Sequence, residues 1–191
     1  KEELIENIKF GLPGHHNLTN ALLAFAMAKA YGVENEKIKK ALASFLGVKR
    51  RFEYILKDKK HIYIEDYAHH PEELRACIQA VKTLYPDKKV TTIFQPHLFT
   101  RTRDFAEGFS EVLSMTDELI MLDIYPAREL PIEGVSSAMI LDKVSIEAKQ
   151  ILSKEQTLDY IRAQKPELLL TVGAGDIDTL IIPLKEILTN A

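Results

Sequence analysis

From Phe52 to the C-terminus, short apolar runs alternate with longer amphipathic segments, and this alternation limits the fold more than any other feature of the chain. Residues 52–56, 62–67, 90–94, 118–124, 149–152 and 168–172 are strand-length runs, the first two separated by a turn at Asp58-Lys59-Lys60. Helix-like stretches lie between and after them: one opened by Pro71, then 102–115, 137–144, a segment through Tyr160, and 177–188. The first of these is well marked. Pro71 suits a first helical turn, Glu72 and Glu73 sit at its positive end, Leu74, Cys77, Ile78 and Val81 line one face, and Pro86 stops it. Strands joined through helices imply an α/β fold with a mostly parallel sheet and helices on both faces.

The first 47 residues follow a different rule. Asn17 is a candidate cap for a helix to Tyr31, with Gly32 just past its end. Asn35 is a second candidate cap, ahead of a stripe of Ile38, Ala41, Leu42 and Phe45 that Gly47 closes. The pattern breaks at Gly47-Val48-Lys49, so the expected organisation is a helical piece over 1–47 and an α/β domain over 48–191.

Bulk composition removes several classes of function. A net charge of −3 gives no electrostatic case for nucleic acid or an anionic membrane as partner. A lone cysteine, Cys77, excludes an intrachain disulfide framework and points to a reducing compartment. No apolar run approaches the roughly 18 residues of a membrane-spanning helix. Residues 1–10 are charged and mixed, unlike a signal peptide, and start without Met; the chain is expected to begin inside a longer cytoplasmic protein.

In parallel sheets ligands gather at the carboxyl ends of the strands, and four polar motifs fall there. Tyr67-Ala68-His69-His70 follows one run and Gln95-Pro96-His97 the next; Tyr125-Pro126-Ala127-Arg128-Glu129 and Gly173-Ala174-Gly175-Asp176 follow two more. Arg101 and Arg103, at the expected start of a helix, are either a solvated basic turn or two forks for carboxylate or phosphate; the helix N-terminus disfavours cations and so favours function. Glu65-Asp66-Tyr67-Ala68-His69-His70 offers sugar-hydroxyl, metal or proton-transfer chemistry, or is only a polar loop. Zinc is disfavoured, because adjacent histidines point apart and no third ligand has the usual spacing. Asn17 and Asn20, one turn apart, read a base edge or merely cap a helix. Arg50-Arg51-Phe52-Glu53 is a ligand contact or a surface cluster. Gly173-Ala174-Gly175 lacks the third glycine of a dinucleotide fingerprint and reads best as a tight strand-to-helix turn. Nothing suits covalent catalysis.

Read jointly, Pro13-Gly14-His15-His16-Asn17-Leu18-Thr19-Asn20, Arg50-Arg51-Phe52-Glu53, Asp66-Tyr67-Ala68-His69-His70-Pro71, Phe94-Gln95-Pro96-His97 with Thr100-Arg101-Thr102, and Gly173-Ala174-Gly175-Asp176-Ile177 resemble the Mur ligases in order and spacing along nearly the whole chain. The resemblance implies a Rossmann-like C-terminal domain over 48–191, with 1–47 the end of the central ATPase domain. It implies ATP and Mg2+ as cofactors, and amide-bond formation between UDP-N-acetylmuramate and L-alanine through an acyl phosphate, a step in peptidoglycan precursor synthesis. By the same resemblance His16, Asn17 and Asn20 hold the adenine, Asp66 binds the ribose, and Arg51 reaches the ATP phosphates across the domain cleft. Tyr67, His69 and Arg101 position the alanine, with Arg51, His69 and Arg101 as the catalytic set. Relatives commonly carry Arg after Pro-His where this chain has Leu98, which leaves Arg103 as a substitute clamp. The phosphate-binding loop of the family has no counterpart in the 191 residues, so the chain is expected to be a portion that turns over no ATP alone. A murein-peptide ligase and a non-enzymatic Rossmann-like module are the competing readings.

Overall fold

The structure, a computed structural model, describes residues 4–190, apart from the side chain of His16. The chain forms two compact units that part between Lys49 and Arg50, two residues beyond the break expected from the sequence. In the first, α1 (His15–Ala30) and α2 (Asn35–Ser44) are helices joined by a turn in which Gly32 takes a positive φ. Asn17 is not the cap of α1. The helix begins two residues earlier behind Gly14, and the Asn17 amide instead donates to the Pro13 carbonyl at 2.7 Å. Nor does Asn35 cap α2, whose cap position is Glu34.

The second unit holds the predicted sheet. Its six strands are β1 (Glu53–Lys57), β2 (Ile62–Asp66), β3 (Val90–Phe94), β4 (Glu118–Met121), β5 (Lys149–Ile151) and β6 (Leu168–Val172), in the order β1-β2-β6-β3-β4-β5. Only β1 runs antiparallel to its neighbour. The helices are α3 (Pro71–Leu84), α4 (Phe99–Asp104), α5 (Ala106–Leu113), α6 (Ala138–Leu141), α7 (Lys154–Gln164) and α8 (Ile181–Thr189), with a 3-10 turn over Asp176–Leu180.

Alternation along each strand divides the core in two. Ile62, Ile64, Phe94, Leu119, Met121, Leu168 and Leu170 face the layer containing Cys77, Val81, Phe109 and Ile140, from α3, α5 and α6. Tyr63, Ile93, Ile120 and Leu169 face Ile161, Leu184 and Leu188, from α7 and α8. Both faces are therefore dry, which is why the strands read as continuous apolar runs.

Three predicted segments are corrected. The helix expected over 102–115 is two helices, broken at Phe105, where φ is −118°; in the second, Gly108 lies against Pro71, and a Cβ there would stand 3.1 Å from the proline ring. The strand expected over 118–124 ends at Met121. The C-terminal helix, expected from Ile177, starts at Ile181 after the 3-10 turn.

Candidate active site

The parallel register sets the site. Asp66 pairs with Val172, Val172 with Phe94, and Phe94 with Met121, so four strands end level. The residues that follow, Tyr67, Gly173, Gln95 and Leu122, leave the sheet side by side, and the ladder carries on for one more bond at each: Gly173 N to Asp66 O, Gln95 N to Val172 O and Leu122 N to Phe94 O.

From this edge rises a row of rings. The Tyr67 and His69 centroids are 5.3 Å apart, His69 and His97 6.1 Å, and His97 stacks on Tyr125 at 5.7 Å and 22°. Cations stand beside the row at Tyr67 and at His97. The guanidinium carbons of Arg50 and Arg51 stand 4.8 and 5.8 Å from the Tyr67 centroid, and Arg101 Nη1 lies 3.3 Å from His97 Nδ1.

Each ring is held by its own local rule. His69 Nδ1 lies 3.0 Å from the Tyr67 carbonyl and its backbone N–H donates to Glu73 at 3.0 Å. A carbonyl only accepts, so Nδ1 carries a proton in this contact, 3.3 Å from Glu73 Oε2 as well, and in the neutral ring Nε2 is then the lone pair. His70 turns the other way, packs its ring 4.7 Å from Phe105 and accepts from the Glu72 N–H as the cap of α3. The two adjacent histidines do point apart. Burial, the Arg101 cation and His69 all lower the pKa of His97, which favours a neutral ring that accepts from Arg101.

Three carboxylates hold backbone or cations here. Asp66 is 7% exposed and accepts from the amides of Phe52 and Ala68, both at 2.8 Å. Glu65 is pushed up to about 7 by burial, opposed by the Arg50 guanidinium 2.9 Å away and reinforced by nearby Glu53 and Asp178. Glu129 accepts from the Thr100 N–H and hydroxyl, and those bonds lower its pKa.

Arg101 and Arg103 occupy the last turn of the six-residue α4, not the first turn of a longer helix. Cations are favoured there, so the electrostatic argument from helix placement falls away and only geometry separates them. Arg101 turns to His97; Arg103 pairs with Asp104 at 2.7 Å and is half exposed. Leu98 sits at φ 72°, costly for a side chain, with its N–H on the Tyr125 carbonyl and its own carbonyl taking the Thr102 N–H and hydroxyl.

The glycine turn closes the edge. A Cβ on Gly175 would stand 2.4 Å from Gln95 Oε1 and 2.6 Å from Tyr125 Cβ, and one on Gly173, at φ 149°, 2.9 Å from the Gln95 carbonyl. Gln95 bonds Asp176 and the Ile177 N–H, both at 2.8 Å, while Lys154 pairs with Asp176 at 2.6 Å. This is the tight turn the sequence suggested. Arg50, Gln95, His97 and Glu129 were visible only as members of motifs; nothing local marked their contacts. Asn17 and Asn20, part-buried and exposed, belong to the first unit, and His16 falls outside the described side chains.

A mostly parallel α/β sheet with an aromatic row and cations at its carboxyl edge defines an α/β domain of the kind that binds ligands at that edge. The family model described as "Mur ligase, glutamate ligase domain" matches residues 50–175, and the chain belongs to the Mur ligase family. It is 52% identical to a UDP-N-acetylmuramate–L-alanine ligase of Flavobacterium johnsoniae over 98% of this chain and 42% of that one. It is 54% identical to a ligase of the same name from Parabacteroides distasonis over 96% of this chain and 40% of that one. Among solved structures, the UDP-N-acetylmuramate-alanine ligase of Thermotoga maritima superposes with a TM-score of 0.72 at 28% identity, over 96% of this chain and 39% of that one. A murein peptide ligase of Psychrobacter arcticus shares the fold, with a TM-score of 0.69 at 22% identity, over 96% of this chain and 39% of that one. The chain thus spans about two fifths of the curated relatives it matches.

Proposed function

We propose that this chain is the C-terminal portion of a cytoplasmic ATP-dependent ligase that joins L-alanine to UDP-N-acetylmuramate. The observation that carries the reading is the row Arg51, Tyr67, His69, His97 and Arg101 along one sheet edge. Similarity to alanine ligases supplies the substrates. No described helix is long and apolar enough to cross a membrane.

Within the row, roles divide by hydrogen-bonding capacity. Arg101 donates only, and its planar fork suits the alanine carboxylate. His69 Nε2 is a lone pair, suited to take a proton from the alanine ammonium as the amine attacks. Tyr67 walls the space on the other side of His69. Arg51 is exposed beside Tyr67, where its cation can neutralise charge on the ATP phosphates. Phosphoryl transfer depends on neutralisation and positioning more than on a covalent nucleophile. The muramate carboxylate takes the γ-phosphoryl group and ADP leaves; the amine then attacks the acyl phosphate, the amide forms and phosphate departs.

Asp66, whose carboxylate holds the amides of Phe52 and Ala68 at the end of β2, is assigned to a ribose hydroxyl. Asn17 and Asn20, with His16, are assigned to the adenine, and Arg103 to the rim of the alanine site. No group of three or more His, Cys, Asp or Glu among the described residues is placed to hold a metal, and no step here runs through Mg2+.

The test is product formation by the full-length chain with ATP and UDP-N-acetylmuramate, offered L-alanine or a murein tripeptide. Alanine-dependent release of ADP with an alanyl product supports the reading. Ligation of the tripeptide but not of alanine replaces it with the recycling ligase, and turnover with neither leaves a binding module.

A further inference from the structure

Arg50 and Arg51 are adjacent and chemically identical, yet their surroundings are opposite. Arg51 is exposed. Arg50 donates through Nε to Glu65 at 2.9 Å, through Nη2 to the carbonyls of Gly173 at 2.8 Å and Gly175 at 3.4 Å, and through Nη1 to Asp178 at 3.4 Å. Its backbone is bound as well: its N–H donates to Glu53 Oε2 at 2.8 Å and its carbonyl accepts from the Tyr67 N–H at 2.7 Å. Glu53 and Glu65 are register partners across β1 and β2, and Arg50 holds the first through its backbone N–H and the second through its guanidinium.

The backbone explains why so much is invested in one side chain. Arg50 and Phe52 both adopt left-handed conformations, φ 59° and 49°, on either side of Arg51. Side chains avoid this region, and a non-glycine residue stays there only where its surroundings over-determine it. Phe52 is fixed by its buried ring and by its N–H on Asp66 Oδ2 at 2.8 Å. Arg50 is fixed by the contacts above.

We infer that Arg50 is the positioning residue for Arg51. Its guanidinium staples the strained turn to β2 and to the Gly173–Gly175 carbonyls, and so sets where the Arg51 cation stands; it meets no substrate itself. Arg50 and Asp66 serve the same end from the two sides of the turn. The inference rests on the phosphate role given to Arg51, and the test keeps the two apart.

The test compares Arg50→Ala, Arg50→Lys and Arg51→Ala in the full-length chain by steady-state kinetics and by amide hydrogen exchange at Phe52 and Tyr67 without ligand. Arg51→Ala is expected to lower kcat at least tenfold with both amides within twofold of the parent. Arg50→Ala and Arg50→Lys are each expected to lower kcat at least tenfold and to speed exchange at both amides at least tenfold. Lysine fails because one ammonium does not span Glu65 and two carbonyls. Parent-like protection in either Arg50 variant overturns the positioning role whatever the kinetics, and a parent-like kcat in both overturns it whatever the exchange. A parent-like kcat in Arg51→Ala overturns the role of Arg51, and with it the inference, while the exchange at Phe52 and Tyr67 still reports separately whether Arg50 holds the turn.

Discussion

Nη1 of Arg101 stands 3.3 Å from Nδ1 of His97, one helical turn earlier in the chain, and the same imidazole stacks on Tyr125. A guanidinium has no acceptor, so His97 must offer a lone pair and place its proton on Nε2. The neutral ring follows from the burial and neighbouring cation that lower its pKa. His97 thus orients the arginine proposed to clamp the alanine carboxylate without competing for it by charge.

Arg101→Ala is therefore expected to raise the alanine KM with little change in the ATP KM. A charge-assisted carboxylate contact contributes about 2–3 kcal/mol, or roughly 30- to 150-fold. Steady-state kinetics with each substrate varied in turn decides it. A larger effect on ATP than on alanine would move Arg101 to the nucleotide.

Arg51 and Asn20 should separate chemistry from binding. Arg51→Ala is expected to depress kcat far more than ATP affinity, because the cation acts where charge develops in the transition state. Asn20→Ala is expected to weaken nucleotide binding with a smaller effect on kcat. Direct ATP binding measured beside kcat on both variants checks this, and equal losses in the two would mean that the nucleotide is misplaced.

Gly175→Ala should destabilise the second unit. The new methyl would enter the space held by Gln95 Oε1 at 2.4 Å and Tyr125 Cβ at 2.6 Å, and neither neighbour is at the end of a free side chain. Overpacking of this kind costs about 1–3 kcal/mol. Denaturant unfolding gives the loss, and an unchanged midpoint would show that the turn can give way.

The buried Glu65 predicts a pH dependence with a definite sign. Its folded pKa, about 7, lies above the ordinary 4.5, so between those values the folded chain keeps a proton that the unfolded chain releases. The corresponding stability is fully present below pH 4.5 and is lost as pH rises to about 7; the rise in pKa bounds it near 3 kcal/mol. Arg50 opposes the shift, while Glu53 and Asp178 reinforce it. Glu65→Gln should flatten this part of the stability curve, measured by denaturant unfolding from pH 4 to 8. A slope equal to the parent's would assign it to other groups.

What the sequence determined by itself was most of the elements and the edge of the sheet where the polar motifs gather. The runs at Val90–Phe94 and Leu168–Val172 are five residues long and wholly buried, and Pro71, Glu72 and Glu73 mark the start of α3 through purely local physics. The four polar motifs could be placed together because parallel strands all present their carboxyl ends on one edge. What only the tertiary structure decided were relationships between residues far apart in the chain. The break at Phe105 and the close approach of Gly108 to Pro71 are features that no helical periodicity reveals. Asn17 lost its capping role because α1 starts behind Gly14, a boundary open to any residue that can take φ 93°. The division between Arg50 and Arg51 is the clearest case. Two identical side chains carry identical local propensity, and their roles parted only when the register of β1, β2 and β6 brought Glu65, Gly173 and Gly175 around one guanidinium and left the other exposed.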